Sequence, residues 1–194
     1  MITAEQVKKL RDQTGVSMME CKRALEQSNG DYDKALEFLK LKSKDVALKK
    51  SEREAKQGII EAYIHSNGKI GVLLELNCET DFVARNQEFK ELAHDLAMHI
   101  AGMDPKYISP EDIPEEVIET EKIIYEKQFA DTDKPKKVID QIIDGKIKKF
   151  SQEICLLTQP FVKNSDITVK ELIEEKIAKL GENIKIRRFV RYEL

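Results

Sequence analysis

Histidine and cysteine are the first residues to test for chemistry, because they ligate metals, move protons and act as nucleophiles near neutral pH. The chain has three of each: His65, His94 and His99, and Cys21, Cys78 and Cys155. The histidines show no HExxH spacing. Asp95 and His99 fall one helical turn apart, but two ligands make no metal site, so the expectation is a solvated pair and no metal. Cys78 precedes Glu79, yet no base or orienting third group can be nominated for it, which leaves a packed thiol at a strand end. The cysteines are odd in number and far apart, with no CxxC, so neither zinc nor a redox pair is suggested, and a reducing compartment, the cytoplasm, is expected. No GxxxxGK[ST] or GxGxxG loop occurs, and no cofactor is expected. These residues give no catalytic constellation, so function falls to the surfaces that the fold presents.

The chain has 194 residues, with 33 Lys or Arg and 36 Asp or Glu, a formal net charge of −3. That length allows one domain with an appendage, or two small ones. Charged residues make up 36%, Gly and Pro number 8 and 5, and Trp is absent. This is the composition of a soluble, helix-rich protein. The first ten residues, MITAEQVKKL, carry charges and no uninterrupted apolar stretch, so no secretory signal is expected. No run approaches the roughly 18 apolar residues of a membrane span. The near-neutral total charge argues against bulk affinity for nucleic acid.

The first fifty residues predict three short helices. Thr3 with Gln6 and Ser17 with Glu20 fit the capping-box pattern, Asp31 can cap a third helix, and Gly15 and Gly30 stand where helices end. Apolar residues follow helical spacing: Val7 and Leu10, then Met18, Cys21 and Leu25, then Ala35, Leu36 and Leu39. Such a bundle is near the lower size limit for folding alone, so its outer surface is available to a partner. Met18 and Met19 suit either core or interface. Residues 40–57 then carry seven basic and three acidic residues, read as a helix extension followed by a solvated linker. A nucleic-acid patch is the sharper alternative, but no aromatic interleaves the charges to stack on bases.

The remainder predicts a small antiparallel sheet with helices. Residues 58–64 and 69–77 form a hairpin about Asn67-Gly68, a pair in which both residues accept positive φ. Thr80 or Asp81 can cap a short turn, and Asn86 a longer helix with Phe89, Leu92, Ala93, Leu96, Ala97 and Ile100 on one face. Residues 104–133 hold ten acidic and three basic residues, with solvated helix faces as the default. Helices are expected over 115–129 and 136–157, the second interrupted at Gly145, and a further one between Thr168 and Gly181. Residues 182–194 alternate: Ile184, Ile186, Val190 and Tyr192 share one parity, taken as the apolar face, while Lys185, Arg187, Phe189 and Arg191 share the other. The result is an α+β fold: an N-terminal three-helix bundle with a basic linker (1–54), and a core (55–194) of three antiparallel strands packed with helices.

The bundle resembles a ubiquitin-associated-type domain, through Gly30-Asp31-Tyr32-Asp33-Lys34-Ala35-Leu36. That fold serves many partners, so it implies a docking module. Across its whole length the chain resembles the bacterial elongation factor Ts family. The matching stretches are Leu10-Arg11-Asp12-Gln13-Thr14-Gly15, Met18-Met19-Glu20-Cys21-Lys22-Arg23-Ala24-Leu25, and Leu74-Glu75-Leu76-Asn77-Cys78-Glu79 with the TDFVARN run after it. Further on come Gln159-Pro160-Phe161-Val162, Gly181-Glu182-Asn183-Ile184 and Arg187-Arg188-Phe189. The chain looks like a short form, with one core repeat where longer members have two.

The resemblance implies a non-enzymatic translation factor that binds the GTPase elongation factor Tu, in its GDP-bound and nucleotide-free states, and promotes GDP release. In the family an aromatic wedges near the Mg²⁺ and phosphate elements. Thr80, Asp81, Phe82 and Val83 match that element. Locally, Phe82 fits either a partner pocket or packing beneath the first helical turn, and Asp81 either a partner contact or a cap. Arg11, Thr14, Gly15, Met18 and Met19 match the family's N-terminal grip. The core sheet and residues 159–162 are expected on another domain of the partner. A single-repeat chain is expected to homodimerise, with the terminal strand and an exposed Phe189 as candidate surface. No direct nucleic-acid or membrane contact is expected. The alternative function is a ubiquitin-associated-type adaptor without exchange activity.

Overall fold

The computed structural model describes residues 2–129 and 135–194. Three helices open the chain: α1 (Ala4–Thr14), α2 (Met18–Gln27) and α3 (Tyr32–Lys50). Their starts are local. Thr3 and Gln6 form a reciprocal capping box, Ser17 Oγ accepts from the Glu20 N–H at 3.3 Å, and Asp31 Oδ1 accepts from the Lys34 N–H at 3.2 Å. Val7, Leu10, Cys21, Ala24, Leu25, Ala35 and Leu39 close the core of the bundle. Met18 does not belong to it. Met18 and Met19 are exposed, because one turn into α2 the inward face is carried by Cys21, Ala24 and Leu25.

Strands β1 (Gln57–Ile64) and β2 (Ile70–Cys78) form the hairpin. Its turn differs from the expected one. Only Gly68 is left-handed (φ 67°), and Asn67 instead accepts from the Lys69 N–H through its side chain at 2.9 Å. Ser66 to Lys69 lie between the His65–Ile70 hydrogen bond, so the loop is longer than two residues and does not demand positive φ at Asn67. Gly58 is required where β1 meets β2: a Cβ there would lie 2.2 Å from the Leu76 carbonyl oxygen.

Next come α4 (Asp81–Arg85) and α5 (Gln87–Met103). Every residue of the predicted α5 stripe is buried. α6 (Glu115–Gln128) and α7 (Lys136–Ile154) follow. Gly145 does not interrupt α7, since an exposed helical Gly costs only about 1 kcal/mol and the helix runs on through it. The acidic stretch extends to Asp131 and Asp133, which lie outside the described residues. A short antiparallel pair, β3 (Pro160–Phe161) with β4 (Asn164–Thr168), was not expected. α8 (Val169–Leu180) leads through left-handed Gly181 (φ 78°) to β5 (Lys185–Glu193).

The antiparallel sheet has the order β1-β2-β5. The expected apolar face of β5 holds only for its first half. Arg187 and Arg188 are both exposed, and beyond them the parity is reversed: Phe189 and Arg191 are half-buried, whereas Val190 and Tyr192 are exposed. A shift of one residue exchanges every side chain between the two faces. Arg191 occupies its inward position by donating to the Ala101 carbonyl at 3.2 Å and pairing with Glu193 at 2.6 Å.

The chain forms two compact units, Met1–Ile59 with Leu76–Glu91 and Glu171–Arg187, and Ile60–Glu75 with Leu92–Lys170 and Arg188–Leu194. Among the described residues no helix is long and apolar enough to cross a membrane.

Candidate functional site

The turn that carries Phe82 is built by hydrogen bonds from outside itself. α4 spans five residues, too short to be stable alone. Thr80, not Asp81, caps it: Thr80 Oγ1 accepts from the Val83 N–H at 3.4 Å. Asp81 instead pairs with Arg85 at 3.0 Å. The carboxylate of Glu182 accepts from the Glu79 N–H at 3.1 Å, the Thr80 N–H at 3.0 Å and the Thr80 hydroxyl at 2.7 Å. Cys78 lies buried beneath, its thiol donating to the Thr80 carbonyl at 3.1 Å, and burial pushes its pKa up to about 11. Ala84 is buried and Val83 half-buried, while Phe82 is 81% exposed. Phe82 therefore does not pack beneath the first helical turn.

In the same unit Glu79 accepts from the Asn183 N–H at 2.7 Å and pairs with Arg53 at 3.5 Å. Asn183 is buried and donates from Nδ2 to the Arg53 carbonyl at 2.7 Å. The stretch just after α3 is thus tied to the Phe82 turn. Nothing in the sequence marks Glu182 and Asn183 for this role, since no spacing rule pairs residues about a hundred positions apart.

The N-terminal candidates divide into exposed and committed groups. Met19 is 61% exposed, and Met18 and Arg11 are also exposed. Thr14 is half-buried and its hydroxyl donates to the Leu10 carbonyl at 2.7 Å, closing α1. Gly15 is left-handed (φ 66°) and donates to the Arg11 carbonyl at 2.7 Å. Much of the basic stretch is engaged: Lys42 pairs with Glu20, Lys44 with Glu171 at 3.0 Å, Lys56 with Glu54 at 2.8 Å, and Lys50 donates to the Gly181 carbonyl.

The second unit carries a buried polar network. His99 is fully buried, so the expected solvated pair with Asp95 does not exist. Asp95 pairs with Lys163 at 2.6 Å instead. The Val162 N–H donates to His99 Nδ1 at 3.1 Å, which leaves Nε2 to donate to Gln159 Oε1 at 2.9 Å. Gln159 Nε2 donates onward to the Glu153 carbonyl at 2.6 Å. Burial holds the imidazole below its ordinary value of 6.5, against a smaller upward pull from Gln159. On the sheet, Ile60, Leu73, Val190 and Tyr192 line a groove of about 370 Å³, edged by the Arg188–Glu75 pair at 2.7 Å. Phe189 also lines it but is half-buried, not exposed as expected. Among the described residues no group of three or more His, Cys, Asp or Glu could hold a metal ion.

The α+β scaffold leaves large apolar side chains, Phe82, Met18 and Met19 among them, in solvent, and exposed apolar patches of this kind mark surfaces for binding other proteins. Comparison with known proteins points to translation elongation. A family model described as "Elongation factor TS" matches residues 40–194. The chain is 56% identical over 194 residues to the elongation factor Ts of Carboxydothermus hydrogenoformans, covering 100% of this chain and 89% of the relative. It is 58% identical over 193 residues to that of Thermodesulfovibrio yellowstonii, covering 100% and 96%. It belongs to the elongation factor Ts family, and is a translation elongation factor.

Proposed function

We propose that the chain is a guanine-nucleotide exchange factor for elongation factor Tu, acting in the cytoplasm and making or breaking no covalent bond. Phe82 carries this reading: a large apolar ring left in solvent on a turn that four hydrogen bonds hold in place. An aromatic ring offers a large contact area with only two torsions to freeze, which suits it to fill a partner pocket. Thr80, Asp81 and Val83 frame it, and wedging near the Mg²⁺ and phosphate elements would loosen GDP. Linkage then makes the effect reciprocal: GDP must weaken binding of this chain by the same factor.

Residues 1–54 act as the docking region, with Arg11, Thr14, Gly15, Met18 and Met19 as a second grip, and residues 55–194 as the core. A second grip keeps the wedge at high effective concentration. The groove lined by Ile60, Leu73, Val190 and Tyr192 accepts the same face of a second copy, giving a two-fold homodimer. Light scattering at micromolar concentration is expected to give twice the chain mass, and a strict monomer refutes the dimer.

Stopped-flow release of fluorescent GDP from elongation factor Tu tests the main proposal. Adding this chain is expected to raise the release rate, and excess GDP to weaken its binding. An unchanged rate refutes exchange activity and returns the chain to the adaptor reading.

A further inference from the structure

We infer that Glu182 is a positioning residue for exchange: its carboxylate sets the direction in which Phe82 leaves the surface. The inference rests on the exchange function proposed above. α4 has only its own short turn to hold Phe82, so its orientation is decided by what fixes its first residues. Those residues converge on one side chain. Glu182 Oε2 takes the Glu79 and Thr80 N–H groups at 3.1 and 3.0 Å, and Oε1 takes the Thr80 hydroxyl at 2.7 Å. A carboxylate is acceptor-only and can receive several donors at once, which is what three donors pointing at one spot require.

Thr80 holds both roles together, because its oxygen donates to Glu182 while accepting from the Val83 N–H, one residue past Phe82. Left-handed Gly181 turns the chain out of α8 immediately before Glu182, and Asn183 immediately after it is bound to Glu79 and to the Arg53 carbonyl. The Glu182 backbone is therefore held on both sides, and its side chain transmits that rigidity to the turn. In enzymes a reacting group misplaced by about 1 Å can cost on the order of a hundredfold in rate, and a ring that must enter a partner pocket faces the same kind of geometric demand. A residue that only aims Phe82 affects how well the bound complex releases GDP, not how often the complex forms.

The test is stopped-flow GDP release with the full chain, titrated to separate maximal rate from half-saturating concentration. Four forms are compared with wild type: Glu182→Ala, Glu182→Gln, Phe82→Ala and the Glu182→Ala/Phe82→Ala double variant, each checked by thermal melting. Glu182→Ala is expected to lower the maximal rate by about tenfold or more while half-saturation moves by less than about twofold. Glu182→Gln is expected to recover to within about threefold of wild type, because its amide oxygen accepts the two N–H groups and its amide nitrogen donates to Thr80 Oγ1. Glu182→Ala added to Phe82→Ala is expected to cost less than about threefold more, since once the ring is gone there is nothing left to aim and two residues acting through one wedge are not additive. Full additivity, or an undiminished maximal rate in folded Glu182→Ala, overturns the inference. If Glu182→Ala does not fold, the same cycle is run with Thr80→Val, which removes the hydroxyl bond and the cap, and additivity there overturns it equally. A wild-type chain that fails to speed release overturns the exchange function, and this inference with it.

Discussion

Phe82→Ala separates folding from function because the ring is 81% exposed. An aromatic side chain presents roughly 200 Å². About a fifth of it, some 40 Å², is covered within the chain, so truncation should cost folding no more than about 1 kcal/mol at ~25 cal/mol/Å². The remaining 160 Å² or so would be worth about 4 kcal/mol if a partner covered all of it, and about 2 kcal/mol if it covered half. Where the pocket is filled only as GDP leaves, and not in the first-formed complex, the smaller figure already corresponds to roughly a thirtyfold fall in the maximal rate of stimulated GDP release. The paired assay is stopped-flow GDP release from elongation factor Tu beside chemical denaturation of the chain alone. The expected result is a denaturation midpoint close to wild type with a release rate reduced by about thirtyfold or more. Equal stimulation by the two proteins would refute the wedge and move the mechanism to the N-terminal grip or the sheet. A large loss of stability would refute the geometry from which the estimate is made.

Three further outcomes are expected. Gly58→Ala should destabilise the chain by about 2–4 kcal/mol in urea denaturation, because the new Cβ meets the Leu76 carbonyl oxygen at 2.2 Å and φ is 154°. A change below about 0.5 kcal/mol would contradict that close approach. His99 has its pKa lowered by burial, so below about pH 6.5 the unfolded chain binds more protons than the folded one and stability falls as pH drops. His99→Gln should show a shallower decline than wild type from pH 6.5 downward, and parallel denaturation profiles would refute the assignment. Burial pushes Cys78 and Cys155 up to about 11 and also raises Cys21. Labelling with a thiol reagent at pH 8 should run about tenfold or more slower in the native chain than in denaturant, and immediate native labelling would count against these placements.

The sequence itself determined the elements whose hydrogen bonds close within three or four residues. Thr3, Ser17 and Asp31 mark helix starts because their side chains reach backbone N–H groups three positions on. The α5 stripe was legible because helical spacing puts Phe89, Leu92, Leu96 and Ile100 on one face wherever the helix goes. Thr80 was legible as one of two candidate caps, and Phe82 stood out only through the likeness of its run to the family's wedge element, which implies its role.

Only the tertiary structure decided the rest, because the partners lie far apart in sequence. His99 reads as polar and solvated until Gln159 and the Val162 N–H arrive, some sixty residues later, to satisfy both ring nitrogens in the interior. Val190 and Tyr192 read as the buried face of β5 until two consecutive exposed arginines reverse the parity. Glu182 reads as one acid among many, yet three donors from Glu79 and Thr80 converge on it. Local patterns specify what a segment becomes. Which buried polar group finds which partner is a long-range matter, settled when the chain closes on itself and every buried donor must be matched with an acceptor.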